Sequence, residues 1–326
     1  MREEILRILR ERKEYVSGQE LCETLGVSRT AVWKCIRRLE EEGYEIEAVP
    51  RSGYRLLGSP DSIAEEEVAS RLTTERMGHP IRYFAQIDST NRLAGREAAE
   101  GAPEGLLVIA DEQTAGRGRR GRTWSTPAGS AVAFSLVLRP ALAPESISMV
   151  TLVMGLAVAQ AVEELYGLAA GIKWPNDVVI NGRKLSGTLT EMSAEAEAVH
   201  YLVAGTGINA NMTAFPEELR QTATSLTLEL GRSVNRAELI AAVMRHFEAD
   251  YDRFTAQGDL ASLLPEYNRL LVSRGKEVRV LEPGHEYSGT SHGIDERGRL
   301  LVEKADGEVT RVYAGEVSVR GIYGYV

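Results

Sequence analysis

GRGRRGRT, residues 116–123, places four arginines and three glycines in eight positions of a chain that is net acidic. Gly116, Gly118 and Gly121 spell G-x-G-x-x-G, and Gly116 to Thr123 is a Walker A pattern with Arg122 in place of the lysine. A dinucleotide fold needs a strand before such a loop, a helix from its third glycine, and an acid ~20 residues on. The strand is present as LLVIADEQ (106–113), but Pro127 and Gly129 follow the loop, then AVAFSLVLRP (131–140) reads as another strand. No acid appears until Glu145. The P-loop reading fails on the same missing helix, whose N-terminal amides would hold the phosphate. Anion binding then falls to the guanidiniums, which are planar bidentate donors and stay charged. The glycines let the loop fold over a ligand, and Trp124 offers a flat apolar lid for a ring. The competing reading is a flexible basic surface loop.

A chain of 326 residues has room for two or three domains. Hydrophobic residues at 43% and charged ones at 26% suit a globular protein. A formal charge of −9 argues against general coating of nucleic acid or membrane, so any DNA contact must come from a local patch. Cys22 and Cys35 form neither a disulfide framework nor a metal-ligand pattern and suit a reducing compartment. MREEILRILR is no signal peptide, and SMVTLVMGLAVAQAV (148–162) is too short to span a bilayer and reads as a buried helix. A cytoplasmic protein without a membrane partner is expected.

Texture divides the chain at residues 1–60, 61–272 and 273–326, with Gly58-Ser59-Pro60-Asp61 as a hinge. The last segment alternates apolar and polar residues around turns at PGHE, DERG, KADG and YAGE, as in a small all-β unit. In the first, Ser17-x-x-Glu20 is a capping box, Gly26 ends that helix, and Ser28 caps a third helix from Arg29 to about Glu42. GYEIEAVPRSGYRLL then gives two strands around Arg51-Ser52-Gly53, a wing behind a helix-turn-helix. Residues 1–60 hold 11 basic and 11 acidic residues, so net charge does not decide the partner. The polarity of the third helix does. Arg29, Lys34, Arg37 and Arg38 precede Glu40, Glu41 and Glu42, as suits entry of its N-terminal end into the major groove. Ser28, Arg29, Thr30, Lys34 and Arg37 are the DNA-contact candidates; the alternative is a protein-interaction module.

A second cluster is KWPNDVVINGRKLSGTLTE (173–191), with Asn181-Gly182 as a type I′ hairpin turn. Regular pairing sets Ile180 opposite Arg183, Val179 opposite Lys184 and Asp177 opposite Ser186. It places Asp177, Lys184, Ser186, Thr188 and Thr190 on one polar face, with Val178, Ile180, Leu185 and Leu189 on the other. Lys173 and Asn176 sit near its edge. GTGINAN (205–211) follows the strand VHYLVA with Asn209 and Asn211 as hydrogen-bonding groups, and DSTN (88–91) closes the strand IRYFAQI and opens a helix. Ser89 serves there either a ligand or as an N-cap.

DSTN, EQTAGRGRRGRTW, KWPNDVVINGRKLSG and GTGIN together resemble the biotin protein ligases, and the winged helix makes the chain similar to their bifunctional form, the biotin operon repressor. The resemblance covers all three segments and implies an α+β chain: a winged helix-turn-helix, a mixed sheet related to class II aminoacyl-tRNA synthetases, and an SH3-like β-barrel ending GEVSVRG. It implies that ATP and Mg²⁺ activate biotin as biotinyl-5′-AMP, which a lysine of a biotin carboxyl carrier protein domain, from acetyl-CoA or pyruvate carboxylase, then attacks. Lys184, Arg119 and Asp177 are the catalytic set so implied, Asp177 as Mg²⁺ ligand or as proton acceptor. The biotin side comprises Ser89, Thr90, Asn91, Gln113, Gly116, Arg117, Gly118, Arg119, Lys184 and Gly187. The adenylate side comprises Arg119, Arg120, Arg122, Trp124, Lys173, Asn176 and Asn209. No tightly bound prosthetic group is implied. The repressor form adds a homodimer when adenylate is bound, and operator DNA. Rivals are a lipoate-ligase-like adenylating enzyme, a nicotinamide oxidoreductase, a ligand sensor without catalysis, and a monofunctional ligase.

Overall fold

A computed structural model of the chain describes residues 1–143, 146–195, 198–281, 286–313 and 318–321. The first segment holds α1 (Arg2–Arg12), α2 (Gly18–Leu25), α3 (Arg29–Glu41), β1 (Glu45–Val49) and β2 (Gly53–Gly58). Ser17 Oγ accepts from Glu20 N, Gly26 ends α2 in the left-handed conformation, and Ser28 Oγ accepts from Ala31 N. Apolar side chains at helical spacing, among them Ile5, Leu9, Leu21, Ile36 and Leu39, close a small core of their own.

The central segment contains α4 (Glu65–Ala69), β3 (Ile81–Ile87), α5 (Thr90–Ala99), β4 (Leu107–Gln113), β5 (Val132–Leu138) and α6 (Ser148–Tyr166). It continues through β6 (Gly171–Lys173), β7 (Asp177–Ile180), β8 (Arg183–Glu195), β9 (Ala198–Ile208), α7 (Leu226–Leu230), α8 (Arg236–Gln257) and α9 (Leu264–Leu270). Seven strands form one sheet in the order β3-β4-β5-β9-β8-β7-β6, with β3 parallel to β4 and every other pair antiparallel. A parallel strand run with helical crossovers, as a dinucleotide fold demands, is absent from it. Alternation along the strands divides the core. Phe134, Leu136 and Ile208 join the apolar residues of α6 and α8 on one face, while Val108, Val137 and Val203 meet Ala94 and Ala98 of α5 on the other. The apolar helix α6 is a core element: Val150, Leu156, Ala157 and Val158 are fully buried.

The third segment is a five-stranded antiparallel sheet of β10 (Glu277–Leu281), β11 (Tyr287–Ile294), β12 (Leu300–Glu303), β13 (Val309–Val312) and β14 (Ser318–Gly321), in the order β13-β12-β11-β10-β14. Turns fall at DERG and KADG, where Gly298 N donates to Asp295 O and Gly307 N to Lys304 O. The expected PGHE and YAGE turns, and the start of GEVSVRG, lie at least partly outside the described residues.

Ion pairs flank Gly58–Asp61 on both sides. Glu67 of α4, 1% exposed, accepts two bonds of 2.7 Å from Arg10 of α1 and one of 2.5 Å from Tyr44, and Arg71 pairs with it at 2.8 Å. Burial pushes the Tyr44 hydroxyl far above its usual range, so it remains a donor. Asp61 is held by Arg236, whose Nε lies 2.9 Å away, and Arg236 also reaches Asp111 at the end of β4 at 2.6 Å.

Candidate active site

Beside the N-terminal end of α5 the sheet opens into a cleft of about 460 Å³, taken to its open mouth. Its floor is nearly bare backbone, because Gly187 pairs with Gly207 and Leu189 with Gly205 on the same face. Each glycine leaves room for a neighbouring side chain. A Cβ on Gly205 would stand 1.8 Å from Asn91 Oδ1, one on Gly207 2.2 Å from the Trp124 ring, and one on Gly187 2.9 Å from Lys184 Nζ. GTG of GTGINAN is therefore the end of β9 itself, and not a loop after it as its composition suggests. Glycine is usually poor in strands, but close approach of other groups requires it here.

The arginine loop folds over this floor. Gly118 N donates to Arg122 O at 2.7 Å and Trp124 N to Gly116 O at 3.0 Å, closing a small arch. Its tip is a 3-10 turn, Arg119–Gly121, in which Arg120 (φ 57) and Gly121 (φ 72) are left-handed. Arg119 donates to Asn176 Oδ1 at 2.8 Å. Burial lowers its pKa, but a guanidinium so placed still carries its charge. Arg117 pairs with Glu191 of β8 at 2.9 Å. Lys184 Nζ lies 2.6 Å from Asp177 Oδ1 and 5.6 Å from the centroid of the Trp124 ring. The Trp124 indole N–H is buried against Gly207 with no hydrogen-bond partner among the described residues.

The polar end is built around α5. Gln113 Oε1 accepts from Thr90 N at 3.0 Å and from Thr90 Oγ1 at 3.1 Å, while its Nε2 donates to Thr126 Oγ1. Ser135 Oγ donates to Asn91 Oδ1 at 2.5 Å, and Asn91 Nδ2 donates to Glu191 at 2.8 Å. Ser89 is the N-cap of α5 by position but makes no side-chain cap bond. A helix N-terminus does reach the cleft, yet Ser89 N and Thr90 N are already bonded to Asp88 and Gln113. Those two amides are therefore engaged, and the side-chain cations remain to meet an anion.

The hairpin departs from regular alternation. Val179 pairs with Lys184 as expected, but Val178 then pairs with Ser186 and Asp177 with Gly187. Leu185 is the extra residue of a β-bulge, and one inserted residue inverts the faces beyond it. Ser186 and Thr188 are consequently buried, Thr190 meets Thr151 of α6 at 2.7 Å, and Leu189 joins the cleft. The bulge also lets Lys184 and Gly187 address the same Asp177.

The cleft gathers Ser89, Thr90, Asn91, Gln113, Arg117, Gly118, Arg119, Trp124, Asn176, Lys184 and Gly187, with Asp177 behind Lys184. Gly116, Arg120, Arg122, Lys173 and Asn209 are not among its lining residues. Gly116 supports the arch from behind, since a Cβ there would meet Trp124 O at 2.4 Å. Asn209 is buried and ties Thr224 O to β8 through Lys184 O and Leu185 O, so its amide braces the strand that carries the lysine. Lys173 ends β6 opposite Asp177. Ser135, Glu191 and Leu189 were not foreseen. Glu191 is 74 positions from its partner Arg117, and no local pattern announces such a pair.

In the first segment, Thr30, Lys34 and Arg37 share the exposed side of α3. Arg29 bonds Gln19 at 2.9 Å, and the Ser28 hydroxyl is engaged as the cap.

Residues 83–209 match the biotin/lipoate A/B protein ligase family, residues 2–55 a helix-turn-helix domain and residues 274–320 the biotin protein ligase C-terminal domain. The bifunctional ligase/repressor BirA of Bacillus subtilis is 41% identical over 309 residues, covering 94% of each chain. Its counterpart in Escherichia coli is 32% identical over 307 residues, again at 94% of each. Among solved structures, the biotin protein ligase from Aquifex aeolicus in complex with biotin and ATP superposes with a TM-score of 0.66 at 29% identity, over 74% of this chain and 99% of that one. With three matched segments in order and near-complete coverage of these relatives, the chain belongs to the biotin protein ligases in their bifunctional ligase/repressor form.

Proposed function

We propose that the cleft joins the carboxylate of biotin to the α-phosphorus of ATP, expelling pyrophosphate, and then offers biotinyl-5′-AMP to a lysine amine of a carrier domain. The amine attacks the acyl carbon, the bond to phosphate breaks, and AMP leaves with the electron pair. What carries this reading is the convergence of Arg119 from the loop and Lys184 from the bulged strand on one wall of a glycine-floored cleft. Bringing a carboxylate to a triphosphate sets like charges together. Each cation at ~4 Å and an effective dielectric of ~20 offsets about 4 kcal/mol of that repulsion.

Asp177 shares its Oδ1 between Lys184 Nζ and Asn176 Nδ2, at 2.6 and 3.0 Å. This supports a role in holding the lysine. Mg²⁺ would enter with the phosphates of ATP, a mode that asks the protein for only one or two carboxylates, and Asp177 is the candidate either to hold it or to accept the proton of the incoming amine. Thr90, Gln113 and Ser89 would meet the ureido ring, and the indole of Trp124 the adenylate. The arch closed over a hydrolysable mixed anhydride excludes water.

The first segment would bind operator DNA of biotin genes as a homodimer, with biotinyl-5′-AMP as corepressor. A ligand does this only by favouring the dimer-competent state. ATP chemistry and two free cysteines suit a cytoplasmic setting. Mass spectrometry of a biotin carboxyl carrier domain incubated with the protein, biotin and MgATP tests the ligase, and absence of a biotinyl adduct refutes it. Operator mobility shift with and without biotin and ATP tests the repressor; binding indifferent to ligand refutes corepression.

A further inference from the structure

Trp33 is 51% exposed on α3. The helix buries Val32, Cys35, Ile36 and Leu39. The opposite stripe, at the same i, i+3, i+4, i+7 spacing, is Thr30, Trp33, Lys34 and Arg37, and all four are exposed. A lone exposed apolar side chain is ordinary. This one stands out because it sits within a cationic stripe, with the Arg37 guanidinium 5.7 Å from its ring centroid. Arg37 also pairs with Glu40 at 3.2 Å, and Lys34 follows Trp33 in the same exposed stripe.

We infer that Trp33 is a base-reading residue that packs against the 5-methyl group of a thymine in the major groove. The inference rests on the DNA-binding reading of this segment and deepens it. The flanking cations complement the phosphates, which an indole cannot neutralise, so the ring's contribution lies at the base edges. Thymine is the base whose major-groove edge carries an apolar group, next to an O4 acceptor. An α-helix presenting Thr30, Trp33, Lys34 and Arg37 on one side fits that groove, with the polar and charged members holding backbone and register.

The test uses the full-length chain with biotin and MgATP and a duplex that it selects from a random-sequence pool. Each dT is replaced in turn by dU, which removes one methyl and leaves pairing intact. Burial of one methyl corresponds to about a fourfold weakening at the thymine that Trp33 covers. Trp33→Ala should be indifferent to that dU. It should also lose the preference for thymine over cytosine there, about fivefold or more for a read base pair. Its salt slope should stay that of the wild type, because phosphate contacts persist. An unchanged thermal midpoint would show the variant folded. If no dU weakens the wild type, or if Trp33→Ala keeps the dU response, the inference is overturned. It is equally overturned if the variant changes self-association while thymine discrimination survives. A wild type that selects no duplex defeats the DNA-binding reading itself, a separable result.

Discussion

Lys184→Met keeps the unbranched stem of the lysine side chain and removes its terminal ammonium. The substitution acts on two quantities of different size. Lys184 Nζ lies 2.6 Å from Asp177 Oδ1, and their side chains are 26% and 12% exposed. Without the ammonium the carboxylate keeps Asn176 Nδ2 at 3.0 Å and the field of Arg119 but loses its ion pair with Lys184, which costs about 1–3 kcal/mol of stability. The chemical step loses more. Removing one preorganised donor at a developing charge costs about 3–4 kcal/mol, or 10²–10³ in the rate of adenylate formation. Adding Asp177→Asn to Lys184→Met removes the carboxylate that has lost this pair, so part of the stability returns while the rate does not. Single-turnover release of pyrophosphate reads the rate, and urea unfolding reads the stability. The reasoning is refuted if Lys184→Met forms adenylate within about threefold of the wild-type rate, a difference of under ~1 kcal/mol. It is also refuted if the double variant regains the rate along with stability.

Gly205→Ala places a Cβ 1.8 Å from Asn91 Oδ1. Asn91 must leave Ser135 and Glu191, overpacking costs about 1–3 kcal/mol, and calorimetric affinity for biotin should fall accordingly; wild-type affinity would contradict the crowded floor. Glu67→Gln removes the charge that Arg10, Arg71 and Tyr44 surround, and breaking such a buried pair costs about 3–5 kcal/mol. Proteolytic release of the first segment should rise with it, and an unchanged cleavage pattern would show the tether to be idle. Glu248 accepts backbone N–H bonds from Glu75, Arg76 and Met77, which hold its carboxyl below the ordinary value against the opposing effect of burial. Its stabilising contribution is therefore present above the unfolded carboxylate value and is lost as pH falls through the lower folded one. Glu248→Gln should lower the melting temperature at neutral pH and flatten the acid side of the stability profile, and parallel profiles would count against it.

Helix caps, the wing and the hairpin turn were legible because each rests on chemistry within a few residues. Ser17, Gly26, Ser28 and Asn181-Gly182 do locally what their side chains and backbones require. Rejection of the dinucleotide and P-loop folds was legible too, from Pro127 and Gly129 where a helix had to start. The facing of β8 was not. A bulge at Leu185 depends on what β7 and Thr222–Thr224 offer across the sheet, and periodicity of one strand holds no trace of it. Asn209 is expected on the adenylate side from its place beside the glycines, and the structure adds a bond from its amide to Thr224 O that no local pattern announces. The ion pairs flanking Gly58–Asp61 were not legible for a related reason: Arg10 meets Glu67, and Arg236 meets Asp61, across wide separations in sequence.

The bare floor of the cleft sets a direction for change. Gly187, Gly205 and Gly207 already hold the smallest residue, so mutation there can shrink the well but never enlarge it. Selectivity at that surface is written in side chains left out. Redesign toward a bulkier vitamin analogue would have to borrow its space from the removable walls, Leu189 or the arginine arch, and any gain at the arch would loosen the cover that keeps the activated acid dry.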